Sequence, residues 1–179
     1  MKALEEIGIN NGVKFVLFEL IRIVFSLMPI PPVRKLFLQV LGAKIGQETI
    51  IMNIKFFNWH HEGPGGLSIG KESFLGDETL IDLYGPVTIE DKVTIAQRVT
   101  ILTHINVGYK DHPLQKYFPK KVGKVTIKSG SVVGASVTIL PGVTIGSNSF
   151  AAAGSVVTKN VESGVLVAGV PARVVKKLK

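Results

Sequence analysis

The chain repeats itself every six residues, and that period limits the folds open to it more than any other feature. Val-Thr-Ile recurs at 87–89, 93–95, 99–101, 125–127, 137–139 and 143–145. From 127 to 157 every sixth position is aliphatic or small: Ile127, Val133, Ile139, Ile145, Ala151 and Val157. Two residues before each stands another such side chain: Val125, Ser131, Val137, Val143, Ser149 and Ser155. In a strand, residues two apart share a face, so each tripeptide turns two side chains inward and one outward. The residues between tripeptides are rich in Gly, Asn, Ser and Pro, as in Leu140-Pro-Gly142 and Gly146-Ser-Asn148, and these turn corners. Strand and corner alternating at this interval wrap the chain into a prism, with stacked turns hydrogen-bonded as parallel sheets about 4.8 Å apart. A fold of simple hairpins does not hold one period across so many successive repeats.

The earlier half keeps the rule with slips. Ile69, Leu75 and Ile81 are in phase, and Ile89, Ile95 and Ile101 resume after an insertion around Tyr84-Gly85-Pro86. Ile45 and Ile51 read as the first turn, with Phe56 to Gly66 a protruding loop. A longer excursion, 108–124, leaves between Val107 and Val125, and function concentrates in long loops on regular scaffolds. The expected organisation is mainly β: an apolar helical segment over 1–42, the repeat domain over 43–171, and a basic tail over 172–179.

The apolar run Val13–Met28 is interrupted by Lys14, Glu19 and Arg22 and closed by Pro29 and the Pro31-Pro32 pair; a second amphipathic stretch runs from Val33 to Leu41. It does not read as a secretory signal, because Glu5 and Glu6 stand where basic residues belong. It also falls short of the roughly 20 apolar residues a membrane span needs. Two readings of 13–41 stay open: packing on the main domain or a neighbouring subunit, or peripheral contact with a membrane interface. The 21 Lys and Arg against 13 Asp and Glu, formally +8, suit a polyanionic partner. Aromatics at 7%, with no zinc-finger, helix-turn-helix or RNP-like pattern, argue against nucleic acid. The absence of cysteine removes disulfides, thiolate metal sites and thiol nucleophiles, and fits a reducing compartment.

Three stretches carry a resemblance: Ile101-Leu-Thr-His104 before the loop, Ile139-Leu-Pro-Gly-Val-Thr-Ile-Gly146, and Ala153-Gly-Ser-Val-Val-Thr-Lys159 followed by Ala168-Gly-Val-Pro-Ala-Arg173. Through them, residues 43 to 175 resemble the hexapeptide-repeat acyltransferases, especially the galactoside, maltose and polysaccharide O-acetyltransferases. The hexads alone are shared with sugar nucleotidyltransferase tails and γ-class carbonic anhydrases; the Thr-His and C-terminal stretches are the specific part. The resemblance implies a left-handed parallel β-helix and a homotrimer with a site in each groove between neighbouring prisms. It also implies acetyl-CoA as co-substrate along that groove, with the loop of one chain walling the acceptor pocket. It maps the catalytic histidine onto His104 and the cofactor contacts onto Gly134, Ala135, Ala153, Thr158, Lys159 and Arg173. Relatives often carry Trp-Ile-Gly where Val132-Val133-Gly134 stand here, a departure that alters the contact with the pantetheine arm.

A sugar hydroxyl becomes a competent nucleophile when a base takes its proton in the transition state, a contribution of about 10²–10⁴-fold for which histidine suits neutral pH. Of His60, His61, His104 and His112, only His104 ends a coil immediately before the long loop, and it is the expected base. A backbone N–H near Gly134 is the expected oxyanion donor. His112, in Asp111-His112-Pro113, is the runner-up or shapes the acceptor pocket, while His60-His61 beside Trp59 belong to an acceptor-side or structural loop. Histidine spacing does not suit a zinc site. Asp82, Asn106, Tyr109 and His112 are the acceptor-side candidates, Asp82 having the alternative of satisfying a corner amide. The expectation is transfer of acetyl from acetyl-CoA to a hydroxyl of a sugar or polysaccharide precursor, in the cytoplasm or at the inner face of its membrane. N-acetylation of an amino-sugar nucleotide, detoxification of a drug or free sugar, and a non-catalytic assembly module are the alternatives.

Overall fold

The computed structural model describes residues 9–178; residues 1–8, inside the expected N-terminal segment, and Lys179, in the expected tail, lie outside the described residues. Two helices come first, α1 (Ile9–Ser26) and α2 (Pro31–Val40). Ile30 between them is extended (φ −121°, ψ 142°), and the proline pair opens α2, where a missing N–H leaves no bond unmade. Then the chain coils. Its strands, two or three residues long for most of the coil, build the three faces of a left-handed parallel β-helix.

The first face stacks Lys44–Ile45, Leu67–Ile69, Val87–Ile89, Val125–Ile127 and Thr144–Ile145. The second runs from Ile50–Ile51 through Phe74–Leu75, Thr94–Ile95, Val132–Val133 and Phe150–Ala151 to Val165–Gly169 and Ala172–Lys177. The third stacks Lys55–Phe57, Leu80–Asp82, Thr100–Ile101, Thr138–Ile139 and Val156–Val157. Thr126 pairs with Thr144, Val132 with Phe150 and Thr138 with Val156, so one turn is eighteen residues, or three hexads.

That register piles like on like. Ile51, Leu75, Ile95, Val133, Ala151 and Val167 form one buried column, and Phe56, Ile81, Ile101, Ile139 and Val157 another. Where the inward position two residues earlier is Ser or Thr, the hydroxyl reaches a carbonyl: Thr49 Oγ1 to Gly70 O at 2.6 Å, Ser131 Oγ to Gly146 O at 2.7 Å, and Ser149 Oγ to Glu162 O at 2.6 Å. These buried polar groups are therefore satisfied. Corners require a left-handed residue, and it is often not glycine: Glu48 (φ 53°), Glu72 (φ 55°), Lys92 (φ 57°) and Asn148 (φ 53°). At three of these the strained residue's N–H donates one turn away, as Glu72 N does to Gln47 O and Asn148 N to Ser129 O, which helps offset the cost.

Both ends of the prism are covered. At the start, Leu38 of α2 sits over the first turn, and Gln39 Nε2 and Lys35 Nζ donate to the carbonyls of Ile45 and Gly46 at 2.9 and 2.7 Å. At the finish, Ala172–Lys177 pairs antiparallel with Val165–Gly169. The stretch expected as a basic tail is thus largely a strand, because the last parallel strand would otherwise present an open edge.

The segment 56–66 also departs from expectation. Phe56 is an inward core residue rather than part of a protruding loop, and it stacks on Trp59 with ring centroids 5.0 Å apart. The Trp59 indole N–H donates to the Phe18 carbonyl of α1 at 3.0 Å. Burying two large rings under a helix outweighs exposing them in a loop. Helix α1 packs only one of its faces this way. Phe25 is buried, while Val13, Val16 and Leu20 remain exposed. Among the described residues, no helix is long and apolar enough to cross a membrane.

Replacing Ile101 by Ala should cost about 3 kcal/mol of unfolding free energy in a urea titration, from lost burial and the cavity left in the column. Thr100→Ala, on the outward side of the same strand, should change it by no more than about 0.5 kcal/mol.

Candidate active site

Strand and corner fidelity breaks in three places, all on the corner between the third and first faces: after Phe57, and at two further departures one turn apart. One is the insertion after Asp82. The other is the excursion that leaves at His104 through an antiparallel pair, His104–Ile105 with Lys121–Val122. One turn separates the two, so Asp82 comes to lie directly against His104.

The Asp82 carboxylate is fully buried. Its Oδ2 lies 2.5 Å from His104 Nδ1 and accepts the backbone N–H groups of Thr103 and His104 at 2.9 and 3.1 Å. Its Oδ1 accepts from Tyr84 N and Asn58 Nδ2, each at 3.1 Å. Thr103, also buried, ties the corner: its hydroxyl donates to Asp82 O at 3.0 Å and accepts Gly85 N–H at 2.9 Å. With only donors around the carboxylate, the shared hydrogen sits on Nδ1, which in the neutral imidazole makes Nε2 the acceptor nitrogen. The His104 side chain is 19% exposed, whereas Asp82 is fully enclosed. Of the two expectations for Asp82, the structure shows the corner-amide one: both carboxylate oxygens are occupied within the chain by the amides of Tyr84, Thr103 and His104 together with Asn58 and the imidazole.

Rings stack outward from His104. Tyr84 lies over it at 4.4 Å between centroids, His61 over Tyr84 at 3.7 Å, and His60 against His61 at 4.2 Å. Phe15 of α1 meets His60 edge-on at 5.3 Å. Lys120, returning on the loop, places Nζ 4.3 Å from the Tyr84 ring centre and donates to its hydroxyl. Burial, then the neighbouring His60, Lys120 and His104, push the His61 pKa down to about 4, with Asp82 opposing; burial lowers His60 as well. Beside this ladder opens a cavity of about 1240 Å³ between α1 and the loop. Asn106 and Tyr109 line it. His112 does not; its Nδ1 accepts the Leu114 N–H at 3.1 Å inside the loop.

The residues mapped as cofactor contacts fall on both edges of the third face. Gly134, Ala135 and Ala153 stack at its corner with the second face, and Gly154 N–H donates to Ala135 O at 2.9 Å. Only glycine fits at 134, because a Cβ there would stand 2.6 Å from Ala153 N. The Gly134 N–H, expected to stabilise an oxyanion, already donates to Ala151 O at 2.8 Å as part of the ladder. Thr158 and Lys159 lie on the corner that carries His104, with Thr158 two turns, about 10 Å, above Leu102. Arg173 is on the closing strand, opposite Ala168. Tyr84, Asn58 and Lys120 were not legible as site residues, although the break in the hexads at Tyr84-Gly85-Pro86 marks the place.

Comparison with known proteins places this geometry. Residues 124–159 match the family described as "Hexapeptide repeat of succinyl-transferase". The chain is 33% identical over 147 residues to the galactoside O-acetyltransferase of Escherichia coli K12, covering 81% of this chain and 68% of the relative. It is 28% identical over 144 residues to the putative colanic acid biosynthesis acetyltransferase WcaF of the same organism, covering 80% of this chain and 74% of the relative. A solved galactoside acetyltransferase in complex with coenzyme A superposes with TM-score 0.78 at 28% identity, covering 94% of this chain and 82% of that one.

Histidine NMR titration should find His61 neutral down to about pH 4. Lys120→Met should raise that value by removing a cation. Because the unfolded chain takes up this proton near pH 6.5 and the folded one does not, stability should fall as pH drops from about 6.5 toward 4.

Proposed function

The chain belongs to the hexapeptide-repeat acetyltransferases, and on that premise we propose that it moves an acetyl group from acetyl-CoA to a hydroxyl of a sugar or polysaccharide precursor. The observation that carries the reading is the 2.5 Å contact between Asp82 Oδ2 and His104 Nδ1. It fixes the tautomer and the ring plane, so Nε2 faces the acceptor as a base. The acceptor oxygen attacks the thioester carbonyl carbon while its proton passes to Nε2; the new C–O bond forms, the C–S bond breaks, and the proton returns to the leaving sulfur. No acyl-enzyme is required, because the site supplies a base and not a side-chain nucleophile.

Acetyl-CoA binds along the third face, with Lys159 and Arg173 pairing its phosphates and Gly134, Ala135 and Ala153 giving the pantetheine arm a flat corner. These positions occupy both edges of one face, whereas His104 stands on a single edge. A neighbouring prism therefore completes the groove, and the working unit is a homotrimer. Asn106 and Tyr109 meet the acceptor. The need for acetyl-CoA places the reaction in the cytoplasm. The galactoside and colanic acid relatives support a glycan acceptor.

Calorimetric titration with acetyl-CoA should give saturable binding, weakened about tenfold by Lys159→Ala. His104→Ala should lower kcat by about 10²–10⁴-fold while acetyl-CoA affinity moves by less than about threefold. Asp82→Asn should lower kcat by about 10²-fold or more, with the effect absent from the KM for acetyl-CoA. Retained activity in His104→Ala would remove the histidine from the mechanism. Absence of acetyl-CoA binding to millimolar concentration would remove the transferase reading itself.

A further inference from the structure

The cavity beside the ring ladder has two unlike walls. One is α1, which presents Val13, Phe15, Val16, Leu17 and Leu20. These are apolar side chains left about half or more exposed, although α1 has a core-facing side available elsewhere in Phe25. The other wall offers the imidazoles of His60 and His61 and the Tyr84 ring, with Lys110, Gln115 and Lys120 from the loop. Among the described residues, both charged side chains lining the cavity are cations, Lys110 and Lys120, and none is a carboxylate. The buried side-chain oxygen of Gln115 meets no hydrogen-bond partner among the described residues. His104 itself does not line the cavity; it lies one ring behind Tyr84, and Asn106, two residues on, does line it.

A free sugar has no use for five aliphatic and aromatic side chains along one helix, and at about 1240 Å³ the space exceeds the usual range of roughly 300–1,000 Å³ for small-molecule sites. Charge and polarity together describe an amphiphile. An alkyl chain would cover the α1 wall and remove its apolar surface from water. A phosphate would pair with Lys110 and Lys120 by charge-assisted hydrogen bonds. A sugar beyond the phosphate would lie along the edges of the His61 and Tyr84 rings, whose faces are taken up by the ladder, and present a hydroxyl toward His104.

We propose that this cavity is a lipid-phosphate subsite, and that the acceptor is a sugar carried on a phosphate-linked alkyl chain, its chain along α1 and its phosphate between Lys110 and Lys120. The assignment as an acceptor subsite rests on the transferase reading above. The phosphate takes no part in the group transfer; it and the chain position the hydroxyl that His104 deprotonates.

The test does not depend on knowing the sugar. Trp59, the one tryptophan in the sequence, is buried and hydrogen-bonded to the Phe18 carbonyl of α1, so its fluorescence reports on the seating of that helix. Decyl phosphate, kept below its micelle concentration, is titrated against inorganic phosphate and decyl glucoside. We expect saturable binding of decyl phosphate about tenfold tighter than of either control, and a loss of about tenfold in Lys120→Ala. Leu17→Asp and Leu20→Asp should abolish it; both side chains are exposed, and unchanged circular-dichroism melts confirm that the variants fold. Acetyl-CoA affinity, measured by calorimetry, should be the same in these variants, and acetyl-CoA should not displace decyl phosphate. Absence of saturable binding, or undiminished binding by Leu17→Asp, overturns the lipid subsite and leaves the transferase reading standing. Displacement by acetyl-CoA overturns it in favour of a donor-side cavity. Decyl phosphate binding by a protein that never binds acetyl-CoA overturns the acceptor assignment together with the transferase reading.

Discussion

Most strands in this protein are two or three residues long, too short to hold a position alone, so the fold depends on the eighteen-residue register that stacks each turn on the one before. The register aligns inward side chains into columns, and it lets every corner bond to the corner one turn away. Cooperativity follows from this. A turn shifted by one residue would exchange its inward and outward side chains and leave its serine hydroxyls buried without partners. Hence the regular part of the prism varies little, and whatever the chain adds for chemistry has to leave at a corner.

It does so three times on the same corner, after Phe57, after Asp82 and at His104. The insertion after Asp82 and the excursion after His104 are separated by one turn, and stacking turns a sequence separation of twenty-two residues into a 2.5 Å contact. The scaffold contributes more than proximity. Backbone amides of Tyr84, Thr103 and His104 all point at the Asp82 carboxylate, so a buried charge is met by donors that the corner would otherwise leave unpaired. An imidazole held through Nδ1 by so enclosed a partner has its ring plane fixed by the scaffold.

The helices connect the two halves of the molecule's behaviour. Through α2 the open mouth of the prism is sealed, and through α1 the aromatic pair Phe56 and Trp59 is covered. The part of α1 that extends past this seat walls the cavity next to the site. One element thus stabilises the first turns and shapes the space beside His104, although it lies far in sequence from the residues that carry the family likeness.

The hexad period by itself determined the prism, its inward columns and its corner residues, because side-chain alternation in strands and the turn preferences of Gly, Asn and Ser are local properties. The last histidine before the long loop was legible for the same reason: it marks where the period stops. Tertiary structure alone decided what surrounds that histidine. Asp82 reads in the sequence as a corner residue, and only the stacking of turns shows that it is enclosed and paired with His104. Tyr84, Asn58 and Lys120 arrive from three separate departures from the repeat, and no period governs where such departures fold back. The fate of Phe56 and Trp59, read as a loop and found under α1, has the same cause. Their burial depends on a helix some forty residues away, and a contact of that range is fixed by packing and not by any local pattern.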